Sequence, residues 1–215
     1  MGEIDERAAA GRKAGNLEQF ADVVRRNRSY RRFDEGDPIP EEVLVALVDV
    51  ARDVASGANR QPLRYRVVSE RGERDAVFAR LKWAGALPDW DGPEPGERPT
   101  GYIVVADAGA GATTSVDEGI AAQTILLAAA EAGYGGCMLH AFDHAGVAEA
   151  LGLGAAAESR GLAQLRPLMV IALGRPVEDV RLVPLSESPD GSTNYWRDAE
   201  AVHYVPKRSL EEVLL

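Results

Sequence analysis

Five arginines fall within the eight residues Arg25-Arg26-Asn27-Arg28-Ser29-Tyr30-Arg31-Arg32, in a chain whose formal net charge is −10. So much cation inside an acidic protein calls for a reason, and two readings are equally open on this segment alone. Cations suit the C-terminal end of a helix, so the run can be a solvated helix terminus. Guanidinium forks also match phosphate oxygens bidentately, so it can be an anion site. Other chemistry-bearing patterns fail on their own terms. Gly109-Ala110-Gly111 imitates a dinucleotide fingerprint, but Thr114 stands where the third glycine belongs and no acid closes a strand about 20 residues on. Cys137, His140 and His144 suggest a metal, yet a strand would put 137 and 140 on opposite faces and zinc needs further ligands. His144 reads as a surface residue of a first helical turn and Cys137 as core. There is no GxSxG elbow and no P-loop, so acyl transfer and Walker-type phosphoryl transfer have no support.

The elements that must position these groups centre on Asp117 to Phe142. Gly119 to Ala130 is apolar almost all round, which predicts a helix buried on every side, and in a chain of 215 residues a core that continues into a second subunit. Asp117 and Glu118 favour a helix start there, and Gly133 supplies the left-handed residue that ends it. Gly135-Gly136 turn the chain, and Cys137-Met138-Leu139 read as a short buried strand delivering His140-Ala141-Phe142 to its mouth. Upstream, Leu17, Phe20, Val23 and Val24 keep helical spacing into the arginine run. Pro38-Ile39-Pro40-Glu41-Glu42 opens a second helix with apolar Val43, Leu44, Leu47, Val48 and Ala51. Ala55 to Pro62 is a polar loop, 65–69 a strand, 73–83 a helix and 102–106 a strand. Asp143 is an N-cap for a short helix closed by Gly152, and 165–173 is a last apolar strand. The stretch from Pro88 to Pro99 holds four prolines and several acids and reads as a lid or binding loop. The last forty residues contain no helix long enough to fold alone and read as an arm lying on another surface.

At 215 residues with 46% hydrophobic and 27% charged residues, the chain has the length and composition of one globular domain. The acidic balance argues against nucleic acid or an anionic membrane as partner. One cysteine excludes an internal disulfide framework and fits a reducing compartment. The opening MGEIDERAAAGRKAG resembles neither a signal peptide nor a membrane span, so a cytoplasmic location is expected. The division expected is a flexible tail at 1–16, a domain at 17–184 with an irregular lid at about 84–99, and an arm at 185–215.

Taken in order, five segments resemble the FMN-dependent nitroreductase family. Arg28-Ser29-Tyr30-Arg31-Arg32-Phe33 is similar to its N-terminal phosphate and flavin motif. Ser56-Gly57-Ala58-Asn59-Arg60-Gln61-Pro62 resembles its Pro-Ser-Ser-x-Asn-x-Gln-Pro loop. Asp117 to Gln123 is similar to the start of its dimer helix, and Gly135 to Phe142 to its strand beside the flavin. Ala172-Leu173-Gly174-Arg175-Pro176 and Pro206-Lys207-Arg208 resemble its terminal strand and C-terminal basic pair. No one motif is diagnostic; their order over about residues 20–210 carries the likeness.

The resemblance implies an α+β fold: a three-layer α/β/α sandwich around a mostly antiparallel sheet. It implies a homodimer with exchanged C-terminal arms and an FMN at each interface. By that pattern the cofactor would be bound by Arg28, Ser29, Arg31, Ser56, Gly57, Asn59, Gln61, Leu139, His140, Ala141, Lys207 and Arg208, with Asn59 and Gln61 reaching it from the partner chain. Phosphate charge would account for the arginines and for Lys207-Arg208. Arg31 would lie near the part of the ring that gains charge on reduction, and the backbone near His140-Ala141 would face N5. The activity implied takes hydride from NADH or NADPH to a small acceptor such as a nitroaromatic or quinone, with no catalytic side chain. Reductive dehalogenation, flavin degradation and a non-catalytic flavin-binding module are the alternatives. Ala55, Gly57 and Leu63 depart from the loop motif, and His140 replaces a frequent acid, so FMN binding is expected to survive while substrate preference is open. Trp83 and Trp90 either shape the pocket or only pack.

Overall fold

The computed structural model describes residues 16–85, 87, 90–109 and 111–215. The expected tail therefore falls outside the described residues up to residue 15, as do Ala86, Pro88 and Asp89 of the lid and Ala110 of the loop before the central helix. The core is a four-stranded antiparallel sheet of β1 (Leu63–Val68), β2 (Gly101–Asp107), β3 (Gly135–Leu139) and β4 (Arg166–Gly174), ordered β1-β2-β4-β3. Side chains alternate across a strand, so each inner strand feeds two cores. Ile103, Val105, Met169, Ile171 and Leu173 face one side, where α2 (Glu41–Ala51) adds Leu44 and Leu47 and α4 (Thr114–Glu131) adds Ala122, Ile125 and Leu126. Tyr102, Val104, Val170, Ala172, Cys137 and Leu139 face the other, against Val77 of α3 (Arg71–Phe78), Val147 of α5 (His144–Ala150) and Leu153 of α6 (Leu153–Ser159). This is the expected three-layer α+β sandwich. Because β2 is covered on both faces, it is a continuous buried run rather than a half-polar one.

The central helix differs from its sequence reading in two ways. It starts three residues earlier, at Thr114, whose hydroxyl exchanges hydrogen bonds with the Gly111 backbone. It is also not buried on every side: Ser115, Val116, Gly119, Ile120 and Gln123 are exposed in a stripe at helical spacing. Its end is as expected. Gly133 has φ +80°, Tyr134 N–H donates to Ala129 O (2.8 Å) and Gly133 N–H to Ala130 O (3.3 Å), which is a Schellman closure. Gly135 and Gly136, expected as a turn, are instead the first residues of β3. A Cβ on Gly136 would come within 2.2 Å of Ala172 O, so glycine is needed there for close packing of chains.

A helix, α1, covers residues 16–26 of the described chain. Residues beyond 176 build a second sheet of β5 (Val180–Pro184), β6 (Trp196–Arg197) and β7 (His203–Lys207), in the order β5-β7-β6 with β5 and β7 parallel. A parallel pair needs a long crossover, and residues 185–202 provide it. The division expected at 184/185 thus runs through a sheet. A short helix, α7 (Leu210–Val213), follows with a Ser209–Glu212 capping box and exposed Leu210, Val213 and Leu214. Among the described residues no helix is long and apolar enough to cross a membrane.

Candidate functional site

A cavity of about 630 Å³ opens between the arginine segment, the C-terminal half of α4, β3 and β7. Its volume lies in the roughly 300–1,000 Å³ range of ligand sites. The walls are Val24, Asn27, Arg28, Ser29, Arg31, Gln123, Leu126, Leu127, Met138, Tyr195, His203, Val205 and Lys207. The arginine segment reaches it by lying beside β3. Ser29 bridges Gly136, and Tyr30 N–H donates to Gly136 O at 3.1 Å. A side chain on Gly135 would meet the Tyr30 ring at 2.5 Å, so this glycine admits the approach.

Arg28 Nη2 donates to Val24 O (2.6 Å), tying the guanidinium to the last turn of α1. Its Nε is buried without a partner, and burial lowers the pKa from its ordinary value. Arg31 is fixed by its own backbone, whose N–H donates to the Glu178 carboxylate. Its guanidinium lies 5.0 Å over Tyr195, with Nη1 donating to Ser29 O (3.2 Å). Glu178, with its side chain fully buried, also accepts from Arg197 Nη2 at 3.0 Å. One carboxylate therefore joins the N-terminal motif to the C-terminal sheet. Arg197 in turn lies 4.3 Å over the Trp90 ring, so that tryptophan packs on the wall of this junction.

On β7 the period of two aims His203, Val205 and Lys207 at the cavity. His203 is 1% exposed, its Nδ1 has no partner, and its ring lies 4.9 Å from Tyr195. Its pKa is pushed down to about 4 by burial, with Arg31 and Arg197 adding to the shift. Among the described residues Arg28, Arg31 and Lys207 form no ion pair. Three cations that form no ion pair among the described residues, and two buried nitrogens without partners, fit an anionic ligand that also carries polar groups, as FMN does.

Ser56, Gly57, Asn59 and Gln61 lie elsewhere, around the N-terminus of α4. Asp117 is 3% exposed and accepts from Ser56 Oγ (2.8 Å) and Gly57 N–H (2.9 Å). Ser56 Oγ accepts from Gln61 N–H (2.9 Å), and Gln61 Nε2 donates to Asn59 Oδ1 (3.0 Å). Ala58, Asn59 and Gln61 have φ of +51°, +55° and +49°. Three left-handed non-glycine residues in four positions are strained, and the Asp117 and Ser56 bonds hold them so. Ser56 and Gln61 line a smaller cavity of about 230 Å³ that also includes Leu63, Tyr65 and Asp117. Asp117 and Leu127 are ten residues apart on one helix, about 15 Å along its axis.

The remaining expected residues divide. Leu139 faces the α5 core with Cys137, because strand parity gives the cavity to Met138 instead. His140 and Ala141 are exposed at the end of β3; His140 Nε2 is 3.2 Å from Glu118 Oε1, and Ala141 O accepts from Lys82 N–H (2.9 Å). Lys207 lines the main cavity, whereas Arg208 lies against Glu212 at 3.4 Å. Sequence reasoning missed Gln123, Leu126, Leu127, Tyr195, His203 and Glu178. The alternation in His203-Tyr204-Val205-Pro206-Lys207 was a usable signal for His203; Glu178 had none.

The nitroreductase family model matches residues 24–175. Among solved structures, a nitroreductase family protein from Clostridium novyi NT superposes with TM-score 0.58 at 20% identity, covering 91% of this chain and 99% of that one. A candidate nitroreductase from Exiguobacterium sibiricum 255-15, in complex with FMN, gives 0.58 at 17% identity over 78% and 94%. Oxidised iodotyrosine deiodinase bound to FMN and 3-iodo-L-tyrosine gives 0.56 at 20% identity over 73% and 89%. No curated protein matches the chain in sequence.

Proposed function

This chain belongs to the nitroreductase family, and from that premise we propose that it is an FMN-dependent oxidoreductase that takes hydride from NADH or NADPH and passes it to a small acceptor, a nitroaromatic or a quinone, in two separate half-reactions. The observation that carries the reading is the convergence of unpaired Arg28, Arg31 and Lys207 on one cavity of about 630 Å³. The phosphate of FMN is about doubly negative near neutral pH. Related folds with FMN bound support the same cofactor.

Bound FMN supplies the hydride chemistry at its N5 atom; the protein supplies binding, orientation and electrostatics. Arg28 and Lys207 would hold the phosphate by charge-assisted hydrogen bonds. Arg31, braced on Tyr195 and Ser29 O, would place positive charge where the ring becomes negative on reduction. Leu126, Leu127 and Met138 give the cavity its apolar wall. The half-site of Ser56, Gly57, Asn59 and Gln61 would serve the cofactor of a second copy. That copy would cover the Val116–Gly119–Ile120–Gln123 stripe and the exposed leucines of the C-terminal end.

The test is a spectrum of the purified protein and of its heat-released supernatant, followed by NADH and NADPH oxidation with a nitroaromatic or quinone. Equimolar FMN per chain and acceptor-dependent turnover are expected. A flavin-free protein that also ignores added FMN would overturn the reading.

A further inference from the structure

On the opposite face of the sheet from α4, a second cluster of cations surrounds a separate, smaller cavity. Arg71 and Arg74 of α3 and Arg98 from the end of the predicted lid line a space of about 190 Å³, with Tyr102 of β2, Phe78, Asp75, Glu35 and Pro99 completing the wall. The charges do not cancel locally. Asp75 is engaged by Arg71 at 4.0 Å, and the Glu35 carboxylate accepts from Gly96 N–H. Among the described residues Arg74 and Arg98 form no ion pair, and the Nε of each is buried without a partner. The Arg98 guanidinium carbon lies 4.3 Å from the centre of the Phe78 ring. A buried, unsatisfied donor on each of two guanidinium groups is costly to leave so. Beneath them Tyr102 is 1% exposed, and burial raises its pKa, so its phenol remains a neutral donor.

We propose that this cavity is a binding site for a phosphate group, held by Arg74 and Arg98 with Arg71 at its mouth. Guanidinium forks match a tetrahedral oxyanion bidentately, and an anion in this cavity would offset the charge of both groups at once. A volume of about 190 Å³ holds roughly six waters at about 30 Å³ each, and is below the roughly 300 Å³ at which organic-ligand pockets begin. The site therefore takes a free phosphate ion, or the phosphate end of a nucleotide whose remainder stays outside. Either would tie α3 to the end of the lid, because Arg74 and Arg98 belong to those two segments. The proposal is independent of the flavin reading.

The experiment titrates the FMN-saturated full-length chain with inorganic phosphate and, in a second arm, with AMP. Calorimetry and melting temperature are followed against chloride at equal ionic strength. Both ligands are repeated on Arg28→Ala, Arg74→Gln, Arg98→Gln and Arg71→Gln proteins. Saturable binding that persists in Arg28→Ala and weakens at least about tenfold in Arg74→Gln or Arg98→Gln is the expected result. Arg71, whose side chain is 88% exposed, keeps the test open if the two more buried variants fail to fold; its replacement should weaken binding several-fold. Equal affinity for the two ligands assigns the free ion, and tighter AMP assigns a nucleotide-borne phosphate. Phosphate that stabilises no more than chloride, or a response lost in Arg28→Ala and kept in Arg74→Gln, would overturn the proposal.

Discussion

Replacing His203 with Gln should flatten the dependence of stability on mild acid, and the size of the effect follows from where the imidazole sits. The ring is almost wholly buried, and burial, then the Arg31 and Arg197 cations, push its pKa from 6.5 down to about 4. In the unfolded chain the same group titrates near 6.5. Between those values the unfolded state binds a proton that the folded state refuses. Stability is therefore complete above about pH 6.5 and is lost progressively as the pH falls toward 4. At about 1.4 kcal/mol per unit, the gap amounts to about 3 kcal/mol. That is a large share of the roughly 5–15 kcal/mol typical of a domain.

The assay is urea unfolding of flavin-free wild-type and His203→Gln protein from about pH 7.5 to about pH 4, at one protein concentration. Carboxylates titrate in the same experiment. Glu97, for example, is held below its ordinary pKa by its hydrogen bond to Arg32, so its contribution is present above about 4.5 and is lost as the pH falls further. Such terms are common to both proteins and cancel in the difference. The difference should move by about 3 kcal/mol across the range in favour of the variant at low pH. A constant offset at every pH would mean that the folded protein accepts the His203 proton, and the reasoning from burial and the two arginines would be wrong.

Arg28→Ala removes a charge-assisted contact worth about 2 kcal/mol and should weaken FMN binding by roughly 30-fold in a titration of the apo-protein, with little change in reduction potential; unchanged affinity would remove Arg28 from the phosphate site. Arg31→Ala should lower the flavin potential more than it weakens binding of oxidised FMN, because charge appears on the ring only upon reduction; equal potentials for the two proteins would sink that role. Asp117→Asn leaves the Ser56 hydroxyl and Gly57 N–H with a weaker acceptor over a strained loop, so the urea midpoint should fall by the equivalent of about 2 kcal/mol at constant slope. A loss under about 0.5 kcal/mol would show that the carboxylate does not hold the loop. Ile120→Glu puts charge in the centre of the exposed α4 stripe and should yield flavin-poor monomer in sedimentation; an intact, flavin-loaded dimer would place the interface elsewhere.

What was legible in the sequence is what local chemistry decides. Gly133 closes α4 because only a left-handed residue lets both terminal carbonyls be reached, and Asp143 caps α5 by accepting from Gly146 N–H at 3.0 Å. The apolar runs of β2 and β4 could hardly be anything but buried strands. What was not legible depends on partners distant in the chain. Gly135 and Gly136 look like a turn until Tyr30 and Ala172 are known to press on them. Whether Leu139 or Met138 faces the cavity rests on strand parity, which a five-residue run leaves undetermined until its neighbours are placed. β7 is hidden by a proline and by a parallel pairing across a long crossover. Asp117 and Glu178, the acids that tie these segments together, had no local signature of their roles: one sits three residues inside a helix start, the other in the connection between β4 and β5.

The position of Asp117 also bears on the proposal that one chain carries two halves of a cofactor site. The loop it anchors and the cavity of Arg28, Arg31 and Lys207 sit about 15 Å apart along α4, and a helix is too stiff to fold that distance away. Within one copy the separation is therefore fixed. Between two copies related by a two-fold axis it is not, because such an interface sets the N-terminal end of one helix beside the C-terminal end of the other. In the proposed dimer the axis would cross α4 near the midpoint of 117 and 127, at about residue 122, with exposed residues at the contact. Gly119, Ile120 and Gln123 are the exposed residues there, and Gly119 has nothing within 4 Å of where a Cβ would stand, which leaves room for close approach. The proposed dimer would thus account together for the unburied stripe and for the distance between the Ser56–Gln61 loop and the larger cavity. It makes Ile120→Glu a test of cofactor binding as much as of assembly: under the proposed dimer the variant should lose both together, although Ile120 touches neither cavity.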